Sequence, residues 1–150
     1  MLRRLRQRLA CEQGTAIIET AMTLPLLLLV TVGIFEFGRA FQTWQVLTNA
    51  AREGARVAVL PNQATGAAEA RVKDYLASGQ LSNAAGATVT VDPAVKVNIG
   101  ASTANSSVVT INYPFQFMVL QPVASLLVRG STVGGPITIS ASAQMRNESQ

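Results

Sequence analysis

From Thr15 to Phe35 the chain is apolar almost without interruption. These 21 residues carry one ionisable group, Glu19, and their densest part is Leu24 with Leu26–Val30. At about 1.5 Å rise per residue, a helix of this length covers roughly 31 Å, close to the hydrocarbon thickness of a bilayer. The spacing changes at Glu36. Phe37, Phe41, Trp44, Ala51, Ala55 and Ala58 recur at steps of three, four or seven and form one stripe of a 3.6-period helix, which Leu47 widens. Gln42, Gln45, Asn49, Arg52, Glu53 and Arg56 lie opposite, and Glu36 and Arg39 are placed to pair weakly. Pro61, with Asn62 after it, closes the run. The pattern predicts a single helix of roughly 45 residues, membrane-spanning over 15–35 and amphipathic over 36–60, bent but not broken at Pro25. Phe37, Phe41 and Trp44 are expected to pack under the C-terminal region. For Phe41 and Trp44 the alternative is anchoring at the membrane interface.

Beyond Pro61, Gly66–Ser78 predicts a short helix with Ala68, Val72, Tyr75 and Leu76 on one face and Gly79 as its stop; Arg71, Lys73 and Asp74 form its solvated side. Three segments then alternate with period two. Val89, Val91, Val95, Val97 and Ile99 share one phase; Val109, Ile111, Tyr113, Phe115 and Phe117 a second; Ile137, Ile139, Ala141, Ala143 and Met145 a third. Such alternation marks half-buried strands. Pro93 makes the first an edge or bulged strand. Residues 100–106 read as a turn-rich linker, and 83–86 and 103–107 as exposed loops suited to recognition. Met118–Val128 is apolar and predicts a short helix starting near Pro122, followed by a loop over 130–136. Three strands with one apolar face need a cover, which the amphipathic half of the long helix supplies. The expected class is therefore α+β: a long N-terminal transmembrane-plus-amphipathic helix packed on a small antiparallel sheet of about three strands.

Charge adds direction. The chain has 12 basic and 8 acidic residues, a net +4, but residues 1–14 hold Arg3, Arg4, Arg6 and Arg8 against Glu12 alone. Three of the four net charges thus precede the apolar run, so the high pI does not indicate a nucleic-acid-binding face. The positive-inside rule puts this end in the cytoplasm and the rest outside. A secretory signal peptide shares the basic start, but the run is long, and Phe35-Glu36-Phe37-Gly38-Arg39 lacks a small-x-small cleavage pattern. Leu9-Ala10-Cys11 has no apolar run before it, which disfavours a lipoprotein site. Cys11 is the one cysteine and there is no histidine, so neither an intrachain disulfide nor a metal site is expected. Asp74, Glu69, Asp92 and the lysines are scattered outside any recognisable motif, and no phosphate-binding glycine pattern occurs, so no enzyme and no cofactor is expected. Asn105-Ser106-Ser107 and Asn147-Glu148-Ser149 match the N-glycosylation pattern by composition only.

A basic leader, Gly14, an acid five residues on and an immediate apolar helix resemble the layout of a prepilin, cut between Gly14 and Thr15. The cut would create a cationic amine on Thr15. Glu19, costly in lipid, then has a partner in the Thr15 amine of a neighbouring subunit; otherwise it must sit shallow enough to reach headgroups. Ala16-Ile17-Ile18-Glu19, Leu24-Pro25-Leu26-Leu27-Leu28, Phe35-Glu36-Phe37-Gly38-Arg39 and Asn49-Ala50-Ala51-Arg52-Glu53-Gly54-Ala55-Arg56 are together similar to TadE-like minor pilins (pseudopilins) of the Tad, or tight-adherence, system. The likeness is strongest over residues 3–58 and weaker over 137–148. It implies processing by a prepilin peptidase and a structural role in a type IVb (Flp) adhesive pilus. Partners would be other pilins of the Tad apparatus and inner-membrane lipid. The implied organisation is a cleaved leader over 1–14, a span over 15–35, a helical extension over 36–60 and an extracytoplasmic α+β head over 61–150. Two other readings stand beside it: a single-pass anchored binding or adhesion module, and a type II secretion pseudopilin.

Overall fold

A computed structural model of the chain describes residues 2–100 and 102–147, with side chains from Gly14 onward except Ile99 and Ser102. The side chains of Arg3, Arg4, Arg6, Arg8, Cys11 and Glu12 lie outside that description, as do residues Glu148 and Ser149 of the second glycosylation pattern. The elements are α1 (Leu2–Ala58), α2 (Ala67–Ser78), a 3-10 turn (Ala84–Gly86), β1 (Thr88–Ile99), β2 (Ser102–Phe115), α3 (Leu120–Leu127) and β3 (Ile137–Arg146). The fold is α+β. The long helix passes through Pro25 without a break and ends three residues before Pro61. Thr20, Thr23 and Thr31 donate their hydroxyls to the carbonyls of Ala16, Glu19 and Leu27, one turn back, so these polar groups are satisfied within the helix itself.

The chain divides into two compact units. One takes the chain up to Phe37 together with Phe117–Gly135; the other takes Gly38–Gln116 with the chain from Pro136. The segment 117–135, which the sequence assigns to the head, therefore packs with the apolar half of α1.

In the second unit the sheet is antiparallel in the order β1-β2-β3. The central strand contributes the core: Val109, Ile111, Tyr113 and Phe115 are all buried. β1 is one of the two edge strands, and its register shifts between Asp92 and Val95, around Pro93. Pairing of β1 with β2 stops at Thr88–Asn112, so Pro114 sits beyond it and its missing N–H interrupts no bond to β1.

The linker expected over 100–106 is shorter in the structure. Ile99 pairs with Ser102, leaving a two-residue connection with Gly100 at φ 63°, the left-handed region a tight hairpin needs. Residues 103–107 are consequently not a recognition loop. They continue β2, where Ser106 and Ser107 are buried. Ser106 Oγ donates to Val95 O at 2.8 Å and accepts from Gln144 Nε2 at 2.7 Å, while Ser107 Oγ donates to Asn147 Oδ1 at 2.7 Å. Polar composition suggested a turn; pairing with β1 through Ser106, and with β3 from Ser106 onward, makes a strand. Both Asn105 and its two serines are thereby held in the sheet, and Asn147 donates its side-chain amide to Pro93 O.

Helix α1 covers this sheet, but not with the expected aromatic stripe. The buried positions are Thr43, Leu47, Ala50, Ala51 and Ala55. Phe37, Phe41 and Trp44 are 63%, 55% and 45% exposed. The reason is distance. At Gly54 an added Cβ would run into Val72 Cγ2 of α2 and lie 3.3 Å from Val109 Cγ1 of β2. Gly54 with Ala50, Ala51 and Ala55 beside it permits such an approach, so the large aromatic residues are left on the neighbouring face. Val72, Leu76 and Ala68 of α2 complete the core, and Gly79 closes α2 with its N–H on Tyr75 O.

Candidate assembly site

The apolar half of α1 is long enough to cross a membrane. Its most apolar window has no buried share in this chain, and Ile17, Ile18, Met22, Leu24, Leu26 and Leu27 are largely exposed. A helix that is apolar around its circumference and uncovered by its own chain needs lipid or other chains as its surroundings. Gly14 and Thr15 sit inside the helix rather than at its end, and Glu19 is one turn beyond Thr15 with an exposed side chain. Among the described residues, nothing lies within 4 Å of a Cβ added at Gly14.

At the end of the apolar run the sequence Glu36-Phe37 serves α3. Glu36 is only 5% exposed. Its Oε1 accepts from the backbone N–H groups of Met118 at 2.8 Å and Val119 at 2.7 Å, the entrance to α3. A carboxyl group there satisfies amides that a helix start leaves open and complements its dipole. Phe37 meets Phe117 edge-on, with ring centroids 6.1 Å apart. In the second unit, Arg39 lies over the Phe115 ring at 4.5 Å and donates to Gln116 O. Phe41 and Trp44 stack on each other, centroids 5.8 Å apart.

The run Asn49–Arg56 acquires a structural meaning that spacing alone does not supply. Ala50, Ala51 and Ala55 are fully buried, Gly54 admits α2 and β2, and Glu53 ties α1 to α2. Its Oε1 accepts from Arg71 of α2 at 3.0 Å and from Arg56 at 3.2 Å. Those two guanidinium groups, Arg56 first, hold the Glu53 carboxyl below its usual 4.5. Lys73 pairs with Glu69 on the outer side of α2 at 2.7 Å.

Among the described residues no group of three or more His, Cys, Asp or Glu side chains is placed to hold a metal ion. Sequence reasoning missed the role of Glu36, whose partners lie about 80 residues away, and no local signal pointed to them. It also put one of its two recognition loops, 103–107, in a segment that is strand; the other, 83–86, falls on the 3-10 turn. Gly14 and Thr15, the expected processing pair, and the acid Glu19 all lie on α1.

Residues 14–56 match the model of the TadE-like protein family. No curated protein and no solved structure matches the chain. The matched stretch runs from the apolar helix through the small-residue face that carries Gly54. Together with that helix, it fits a membrane-anchored protein associated with the Tad pilus.

Proposed function

With residues 14–56 forming a TadE-like segment, we propose that this chain is a minor pilin, or pseudopilin, of a Tad-type adhesive pilus. A prepilin peptidase cuts it between Gly14 and Thr15. The mature chain stays anchored in the bacterial inner membrane by 15–35, with the head on the extracytoplasmic side, until it joins other pilins. The observation that carries this reading is Glu19: an acid with an exposed side chain, in the part of the span around Ile17, Ile18, Met22 and Leu24 that is likewise exposed. Such a group in hydrocarbon requires a cationic partner from outside the chain. The Thr15 amine of an adjacent protomer supplies one, and the pairing sets the axial register between neighbouring helices. Phe37, Phe41 and Trp44, left exposed on α1, are suited to helix packing between protomers rather than within one.

Removing residues 1–14 discards the arginine cluster and Cys11 and brings the net charge from +4 close to neutral. Mass spectrometry of the protein from native cells should give an N-terminus at Thr15; an intact Met1 overturns the reading. Glu19→Gln should leave cleavage and membrane insertion intact while abolishing incorporation into pili. If incorporation survives, the carboxylate is not the register device, and an anchored binding module becomes the better description.

A further inference from the structure

Within the first unit, Phe117–Gly135 forms a lobe beside the apolar helix. Its one ionisable side chain is Arg129. α3 buries Leu120, Val123 and Ala124, yet the lobe leaves Leu126 83% exposed, with Met118, Val128 and Val133 also largely open. The lobe is well built nonetheless. Glu36 accepts the amides at the start of α3. Gly134, at φ 81°, brings the chain back so closely on Gln121 that a Cβ there would lie 2.6 Å from its backbone nitrogen. Val128 N–H bonds Ala124 O and Ser131 N–H bonds Val128 O.

Between the lobe and α1 lies an open groove of about 640 Å³, lined by Leu29, Val30, Ile34 and Phe37 of α1 and by Phe117 and Leu120. Leu29 is six residues before Phe35, the end of the apolar run, so the groove begins about 9 Å inside it. Its wall is thus the lipid-facing surface of the span itself. A lobe with an apolar outer face, a helix start whose first amides are held by Glu36, and a single cation at the end of its helix has the chemistry of an interfacial membrane element. Arg129 can reach headgroup phosphates while the helix lies among chains.

We infer that Phe117–Gly135 is a second membrane-contacting element, seated in the leaflet at the C-terminal end of the span, with lipid acyl chains occupying the groove. This rests on the membrane-anchored reading of 15–35, not on cleavage or pilus incorporation.

The test uses the full chain at one copy per lipid nanodisc. Trp44→Phe provides the background, and a single reporter is placed by Leu126→Trp or Leu27→Trp; both positions are exposed and tolerate the larger ring. Emission is read with lipids brominated near the headgroup or near the chain end, and with aqueous iodide. The Leu126→Trp reporter should lose emission mainly to shallow bromine, by an amount comparable to the loss of Leu27→Trp to deep bromine, and iodide should leave it bright. Quenching by iodide without bromine quenching overturns the inference by placing the lobe in water. Protection from both overturns it by showing a protein cover, such as a second copy. A Leu27→Trp reporter untouched by bromine removes the anchor, and with it the premise.

Discussion

Gly54→Ala tests the close approach of α1 to α2 and β2. In an open helix interior this substitution stabilises by about 0.5–1 kcal/mol, because alanine loses less backbone entropy. At Gly54 the added methyl meets Val72 Cγ2 inside contact distance and Val109 Cγ1 at 3.3 Å, and both valines are fully buried. Neither has free space to swing into, so α1 must lift from α2 and the sheet. Overpacking of this kind costs about 1–3 kcal/mol. The net expectation is a loss of about 1–2 kcal/mol. Gly38→Ala is the matched control: nothing lies within 4 Å of its built Cβ, so it should gain about 0.5–1 kcal/mol. Val72→Ala makes room. Alone it should cost about 1.5–3 kcal/mol of lost burial, but combined with Gly54→Ala it should cost less than the sum by about 1–2 kcal/mol, the coupling expected of groups in contact. Denaturant unfolding of the full chain in detergent, followed by circular dichroism, reads the wild type and all four variants. A Gly54→Ala chain as stable as Gly38→Ala, or additive behaviour in the double variant, refutes the close approach.

Glu36→Ala removes the acceptor at the start of α3. The N–H groups of Met118 and Val119 lose their acceptor, so about 1–3 kcal/mol of local stability should go, and amides of Leu120–Leu127 should exchange about tenfold to a hundredfold faster. Glu36→Gln, which keeps an acceptor oxygen, should recover most of that protection; unchanged exchange in Glu36→Ala removes the role. For Glu53 the folded carboxyl titrates below its ordinary 4.5 because Arg56 and Arg71 favour its charge. Its contribution is therefore present above 4.5 and is lost as pH falls through the lower folded value. Melting curves of the wild type and Glu53→Gln should differ at neutral pH and converge in acid; a gap that widens on acidification has the wrong sign. Exposed arginines make that gap small.

Much of the architecture was legible in order along the chain. Period-two alternation located three strands, and their phases match the burial of β2, where Val109, Ile111, Tyr113 and Phe115 turn inward. Pro93 marked the strand that proves to be the bulged edge. The helical face was legible only as a family of faces. Phe37, Phe41 and Trp44 and the alanine series were read as one stripe, because hydropathy weighs large side chains most heavily. The sheet and α2 instead selected the smallest face, since close backbone approach buries more of their own surface. Residues 102–107 show the converse. Their Ser, Thr and Asn content favours turns locally, but pairing of 102–106 with β1 and of Ser106 and Ser107 with β3 outweighs that preference.

By itself the sequence determined what depends on neighbours in the chain: a 21-residue apolar run with one acid, the period of each strand, and the proline and glycine stops. These follow from backbone geometry and local solvation, which a few adjacent residues settle. The tertiary structure alone decided what depends on separation in space. It set which side of α1 meets the sheet, and it brought Glu36 to Met118 and Val119. It also joined Phe117–Gly135 to the unit of the apolar helix. A carboxyl group finds two amides some 80 residues away only when packing of the intervening chain delivers them, and no local periodicity encodes that meeting.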